Sequence, residues 1–208
     1  MKNVLIAGCS WVQRMGEHTA NEVYDGVDFK YASFGGQGLW KIKEVFECMS
    51  EGKPVGPAHS WNTGVNCDLN DYDYVIVQLP CPVRNTVNGT DTTERICNLV
   101  DSFDKIGKET AIKKNIDEYK EKIEQINKLH DNIVFFWYNL IGVPFKHPIH
   151  YGDEIIEDMK KFFEDYKLIH LSFEGKAGYH IHEEPCDDEE FVEYWYKTWP
   201  PNLDAYYH

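Results

Sequence analysis

Apolar positions along this chain fall into short continuous runs separated by longer stretches with helical spacing. The first run, Val4-Leu5-Ile6-Ala7, stops abruptly at Gly8. A short run of consecutive apolar residues closed by glycine reads as a strand buried on both faces. Residues 3–7, 29–33, 74–79, 132–138 and 167–172 all read this way, and their β-branched and aromatic content favours strand over helix. Between them, apolar residues recur every third or fourth position. Leu39, Ile42, Val45 and Phe46 mark a helix over 38–49, and Ile112, Ile116, Tyr119, Ile123 and Ile126 mark another over 111–129. Ile155, Ile156, Met159, Phe162 and Phe163 mark a third over 153–166, opened by an acidic first turn. A last helix over 187–199 is stopped by Pro200-Pro201.

Strands alternating with helices predict one α/β domain over residues 1–208, a five-stranded parallel sheet covered by helices on both faces in three α/β/α layers. Residues 51–71, rich in Gly, Pro, Asn and Ser, read as a loop. Residues 80–108 are weakly patterned, with one short helix near 93–103. Long loops inside a compact α/β domain are often functional. There is no internal repeat and no low-complexity segment.

Composition narrows the classes of partner. The 208 residues carry a formal charge of -14, which would repel nucleic acid and anionic membrane alike. No apolar run approaches the ~20 residues needed to span a bilayer. The amino terminus lacks a signal-peptide pattern, so the expected location is cytoplasmic. Cys9, Cys48, Cys67, Cys81, Cys97 and Cys186 have no CxxC spacing, which points to neither a zinc knuckle nor a disulfide framework.

In a parallel sheet the loops after the first, second, third and fifth strands share the carboxyl edge, where open α/β sheets bind ligands. After the first strand come Gly8, Cys9 and Ser10, the serine being a candidate nucleophile. After the second come Gly35, Gly36, Gln37 and Gly38 at the start of a helix, where backbone N–H groups suit an anion or oxyanion. Gln78, Pro80, Arg84 and Asn85 follow the third strand, and His180 and His182 lie near the end, beside Tyr179, Glu183 and Glu184. A serine, backbone donors, a side-chain amide and a late histidine are the parts of an acyl-transfer site.

On these segments the chain resembles an SGNH (GDSL-type) hydrolase, particularly the small divergent members found in phage and bacterial genomes. GCSW stands where the family has GDS, so Ser10 matches the nucleophile and Cys9 replaces the aspartate. ASFGGQGLWKI matches the second block, making Gly35 or Gly36 the backbone oxyanion donor. YVIVQLPCPVRN falls where a strand ends in GxND; Pro80 stands near the family's asparagine, and Gln78 or Asn85 could supply the amide. The last block, DxxH in the family, reads GYHIHEEPCDDEEF here. His182 or His180 takes the histidine's place, with Tyr179 or Ala177 where the acid belongs. Glu183 or Glu184 could orient the imidazole instead, or a dyad could suffice. The resemblance implies a flavodoxin-like fold and an esterase that needs no cofactor, acting on a small-molecule or carbohydrate ester such as an O-acetyl group. Trp11, Gln37, Arg84 and Trp61 would contact the substrate, since aromatics by this edge can hold a sugar face. Trp40, on an apolar helical stripe, reads as core.

Two other readings stand beside this one. A protein that kept the fold but lost the site would be a binding or virion-associated structural protein, because fold does not fix function. His147, His150, His180 and His182, with Asp153, Glu183, Glu184 and Cys186, have donor types that suit zinc. Histidines in polar loops are more commonly just exposed, so no metal is assigned.

Overall fold

A computed structural model of the chain describes residues 2–8, 12, 27–34, 38–53, 60–62, 68–79, 103–138, 153–166 and 168–171. These residues form, in order, β1 (Lys2–Gly8), β2 (Val27–Phe34), α1 (Leu39–Ser50), β3 (Ser60–Asn62), β4 (Tyr74–Gln78), α2 (Lys108–Asn127), β5 (Ile133–Tyr138), α3 (Asp153–Phe162) and β6 (Leu168–Leu171). The strands make one sheet in the order β3-β2-β1-β4-β5-β6. β1 pairs in parallel with β2 and β4, β4 with β5, and β5 with β6. The protein is therefore an α/β fold on a parallel sheet.

β3 corrects the expectation of parallel strands only. It runs antiparallel to β2, with Ser60 opposite Phe34, inside the stretch 51–71 that reads as a loop. A 3-10 turn at Leu69–Asp71 lies in the same stretch, its start held by Asp68, whose carboxylate accepts the Asn70 N–H at 2.9 Å. Three residues, Ser-Trp-Asn, are too few to show an alternating pattern. The edge of β2 holds them as a strand.

Handedness explains where the helices lie. From β1 to β2 the chain steps one way across the sheet, whereas β2 to β4, β4 to β5 and β5 to β6 all step the other way. Right-handed crossovers put the helices of those last three connections on one face. Accordingly Leu5, Ala7, Ala32, Phe34, Val75, Val77, Ile133 and Phe135 form a single core cluster with the buried stripes of α1, α2 and α3. Phe46 of α1 and Tyr119 of α2 are wholly buried there. Between α2 and α3, the Lys120 ammonium lies 2.5 Å from the Asp158 carboxylate and 5.4 Å from the centre of the Phe162 ring. Val4, Ile6, Tyr31, Ile76 and Val134 are buried on the opposite face.

The chain stops its helices locally. α1 ends in a Schellman turn: Gly52, at φ 65°, donates to the Met49 carbonyl at 3.0 Å, and Lys53 donates to that of Cys48 at 2.8 Å. α2 is capped by Gly107, φ 83°, and starts at Lys108, three residues before the apolar stripe that opens at Ala111. Residues 103–106 form a helical turn before it.

The amino edge of the sheet is closed by polar side chains. The Asp73 carboxylate accepts the Asn3 N–H at 2.7 Å, and the Asp73 N–H returns to the Asn3 carbonyl at 2.9 Å. The Asn132 amide donates to the Asp73 carbonyl at 3.1 Å, tying the start of β5 to that of β4. His130 Nδ1 accepts the Asn132 N–H at 3.1 Å, so its Nε2 carries the proton donated to the Tyr72 carbonyl at 3.0 Å.

Candidate functional site

At the opposite, carboxyl edge, β1, β2 and β4 end side by side. Ser33 pairs with Gly8, and Ala7 with Val77, so the next row sets Gly8 beside Gln78, which pairs in turn with Phe136. β1 is where the strand order turns, with β2 on one side and the later parallel strands on the other. Open α/β sheets bind ligands in the crevice outside the carboxyl ends at such a turning point. Here the turning point lies between the ends of β1 and β4.

The side chains in this row change character. Along the face opposite α1, α2 and α3, β2 goes from Tyr31 to Ser33 and β4 from Ile76 to Gln78. Ser33 is fully buried and Gln78 is 4% exposed. A buried hydroxyl or amide without a hydrogen-bond partner costs more than an apolar residue of the same size, so polar side chains are uncommon here. Both are neutral and able to donate as well as accept.

Gly8, between them, has no room for a side chain. A Cβ built there would lie 2.5 Å from Gln78 Oε1, 2.6 Å from Gln78 Cβ and 2.6 Å from Val12 Cγ2. The Gln78 side chain, its Cβ and amide oxygen alike, therefore packs directly against Gly8, in the space a larger residue there would need. Gln78, inside the strand expected over 74–79 and named there as an amide at its carboxyl end, is the last residue of β4, with a buried side chain.

Of the other sequence candidates, Trp61 lies on β3 in register with Ser33. Ser10, Trp11, Gly35, Gly36, Gln37, Arg84, Asn85, His180 and His182 lie outside the described residues, as does the expected helix over 187–199. The ends of the strands preceding two of these groups are described: β1 stops two residues before Ser10, and β2 stops one before Gly35. Of the metal-type residues Asp153 opens α3, and the others lie outside the described residues. Among the described residues no three His, Cys, Asp or Glu side chains cluster as metal ligands would, and no helix is long and apolar enough to cross a membrane.

Sequence reasoning missed Ser33. Its signal is parity: Phe29, Tyr31 and Ser33 share one face of β2, and a serine at the inward end of such a series is worth marking. No protein-family model, curated protein or solved structure matches the chain.

Proposed function

We propose that the protein is a serine ester hydrolase of the SGNH type, a cytoplasmic enzyme whose fold is the flavodoxin-like α/β/α arrangement of five parallel strands. The observation that carries this reading is the approach of the Gln78 amide over Gly8 at the turning point of the sheet. It sets a neutral amide beside the strand end that leads to Ser10. The strand order supports it too: with β3 set aside, the parallel strands run second, first, third, fourth, fifth.

In this mechanism the Ser10 hydroxyl attacks the acyl carbonyl while His182, or else His180, takes its proton. Backbone N–H groups of Ser10 and of Gly36 or Gly35, with the amide of Gln78 or Asn85, hold the developing oxyanion. The tetrahedral intermediate then expels the alcohol, which receives the proton from the imidazolium. Water, deprotonated by the same histidine, releases the acid and frees the serine. Trp11, Gln37, Arg84 and Trp61 border the substrate, an acyl ester such as an O-acetylated sugar. The chemistry calls for no cofactor.

Labelling with a serine-directed fluorophosphonate tests the proposal without knowledge of the substrate. The expected result is labelling, together with turnover of p-nitrophenyl acetate, both lost in Ser10→Ala. A folded wild-type chain that neither labels nor turns over would overturn the hydrolase reading in favour of a non-catalytic binding protein.

A further inference from the structure

We infer that Val12 is a positioning residue for Ser10: its side chain, seated on Gly8, closes the chain after β1 into a single turn that holds the serine at the turning point of the sheet. The inference rests on the hydrolase reading for its catalytic consequence and on geometry alone for the turn.

Three observations carry it. Val12 is wholly buried and helical in its backbone, four residues after the last residue of β1. Its Cγ2 lies 2.6 Å from where a Gly8 Cβ would stand, so a valine methyl sits in the space this glycine leaves free. That contact brings the two Cα atoms within about 7 Å of each other, whereas four steps of extended chain would span about 13 Å. One turn of α-helix covers about 6 Å over the same four steps. The chain therefore doubles back directly after β1, with Cys9, Ser10 and Trp11 between the two ends. The side of the contact agrees with the handedness of the fold. Gly8 shares its parity with Val4 and Ile6, which face away from α1, α2 and α3, and a right-handed crossover from β1 to β2 leaves on that face.

A valine here does more than fill a core, because it lands on the backbone of the residue four before it and so closes the segment that carries the nucleophile. Its branched Cβ leaves one strongly preferred χ1 in a helix, which makes the methyl a stiff spacer between the turn and the strand. A reacting group gains from being held: a misplacement of about 1 Å can cost about a hundredfold in rate. Gly8 supplies the space and Val12 fills it, which limits how far Ser10 can swing from the ends of β1 and β4.

The test uses the full chain labelled with 15N and substitutions at position 12. Val12→Ala removes the branch, while Val12→Ile and Val12→Thr keep a methyl there. The expected result is that backbone order parameters at Cys9, Ser10 and Trp11 equal those of β1 in the wild type, at about 0.85, fall in Val12→Ala and return in Val12→Ile. Fluorophosphonate labelling and kcat for p-nitrophenyl acetate should fall roughly tenfold or more in Val12→Ala at unchanged KM, and Val12→Ile should recover both. Val12→Thr separates position from stability: it buries a hydroxyl and lowers the urea midpoint, yet it should label at the wild-type rate. Val12→Leu keeps the bulk without the branch, should label as slowly as Val12→Ala, and serves if the alanine variant does not fold. Order parameters at Cys9, Ser10 and Trp11 that are unchanged in folded Val12→Ala, or already low in the wild type, overturn the inference. A labelling rate that simply follows the urea midpoint across these variants also overturns it. Absence of wild-type labelling and turnover would instead sink the hydrolase reading, and the order parameters would still decide the turn.

Discussion

The two edges of the sheet solve opposite problems with similar residues. At the amino edge Asp73, His130 and Asn132 spend their side chains on backbone groups a strand away, and the Asn3 amide donates to the Asp71 carbonyl, so that β1, β4 and β5 start in a fixed register. At the carboxyl edge Ser33 and Gln78 are inside the sheet's own face, and the residue between them is reduced to hydrogen. Polar atoms at the first edge are consumed by the fold. Those at the second are held in a row where α/β sheets do their work. The contrast separates residues that hold register from residues proposed to serve a site.

The glycines give the sharpest way to break that contrast. Gly8→Ala should destabilise the chain by about 1–3 kcal/mol through overpacking against Gln78 and Val12, read as a lowered urea midpoint. Adding Gln78→Ala should recover only the part due to the amide, because Gln78 Cβ and Val12 stay where they are. Gly52 has the reverse constraint: an added Cβ would meet nothing within 4 Å, but φ is +65°. Gly52→Ala should therefore cost about 1–2 kcal/mol for the left-handed backbone, and Gly52→Asn distinctly less. If Gly8→Asn proved as mild as Gly52→Asn, the close approach at the carboxyl edge would be wrong.

Asp73→Ala should cost about 1 kcal/mol by removing the acceptor of the Asn3 N–H. It should leave fluorophosphonate labelling at the wild-type rate, which would separate the edges functionally. Loss of labelling in a folded Asp73→Ala chain would mean that the two edges are coupled.

The smallest expected effect is one of pH. Tyr166 precedes β6, with its ring edge-on to Phe135 at 5.9 Å. Burial first, then the charges of Glu124 and Asp165, hold its hydroxyl above the ordinary value of 10.0. The folded chain therefore keeps this proton more tightly than the unfolded one. Its contribution is complete below pH 10 and is lost as pH climbs from there through the folded value. Tyr166→Phe should flatten that alkaline decline in denaturant titrations and leave labelling at neutral pH unchanged.

Much of this architecture is legible in the sequence, and the limits have physical causes. Val4 to Ala7 and Val75 to Val77 announce strands because a central parallel strand is apolar on both faces. The stripe of α1 is equally plain, each of Leu39, Ile42, Val45 and Phe46 being buried. The start of α2 is missed by three residues because Lys108, Glu109 and Thr110 carry no apolar signal, and the backbone at Gly107 sets the boundary. β3 is invisible because its pairing comes from β2. At the site, Gln78 can be singled out as an amide near a strand end, but its packing against Gly8 depends on register between β1 and β4. Ser33 depends on register across three strands, which no local window contains.

β3 has one more consequence. A sheet whose outer strand exposes a long row of N–H and C=O groups invites a strand from another molecule, and proteins blunt that hazard by shortening the margin. On this side the outermost described strand is three residues long, Ser60–Asn62, laid antiparallel on the carboxyl half of β2. A foreign strand would find room there for little more than a single turn of pairing. Lengthening the margin, rather than loosening the core, is the change that would turn this protein toward self-association.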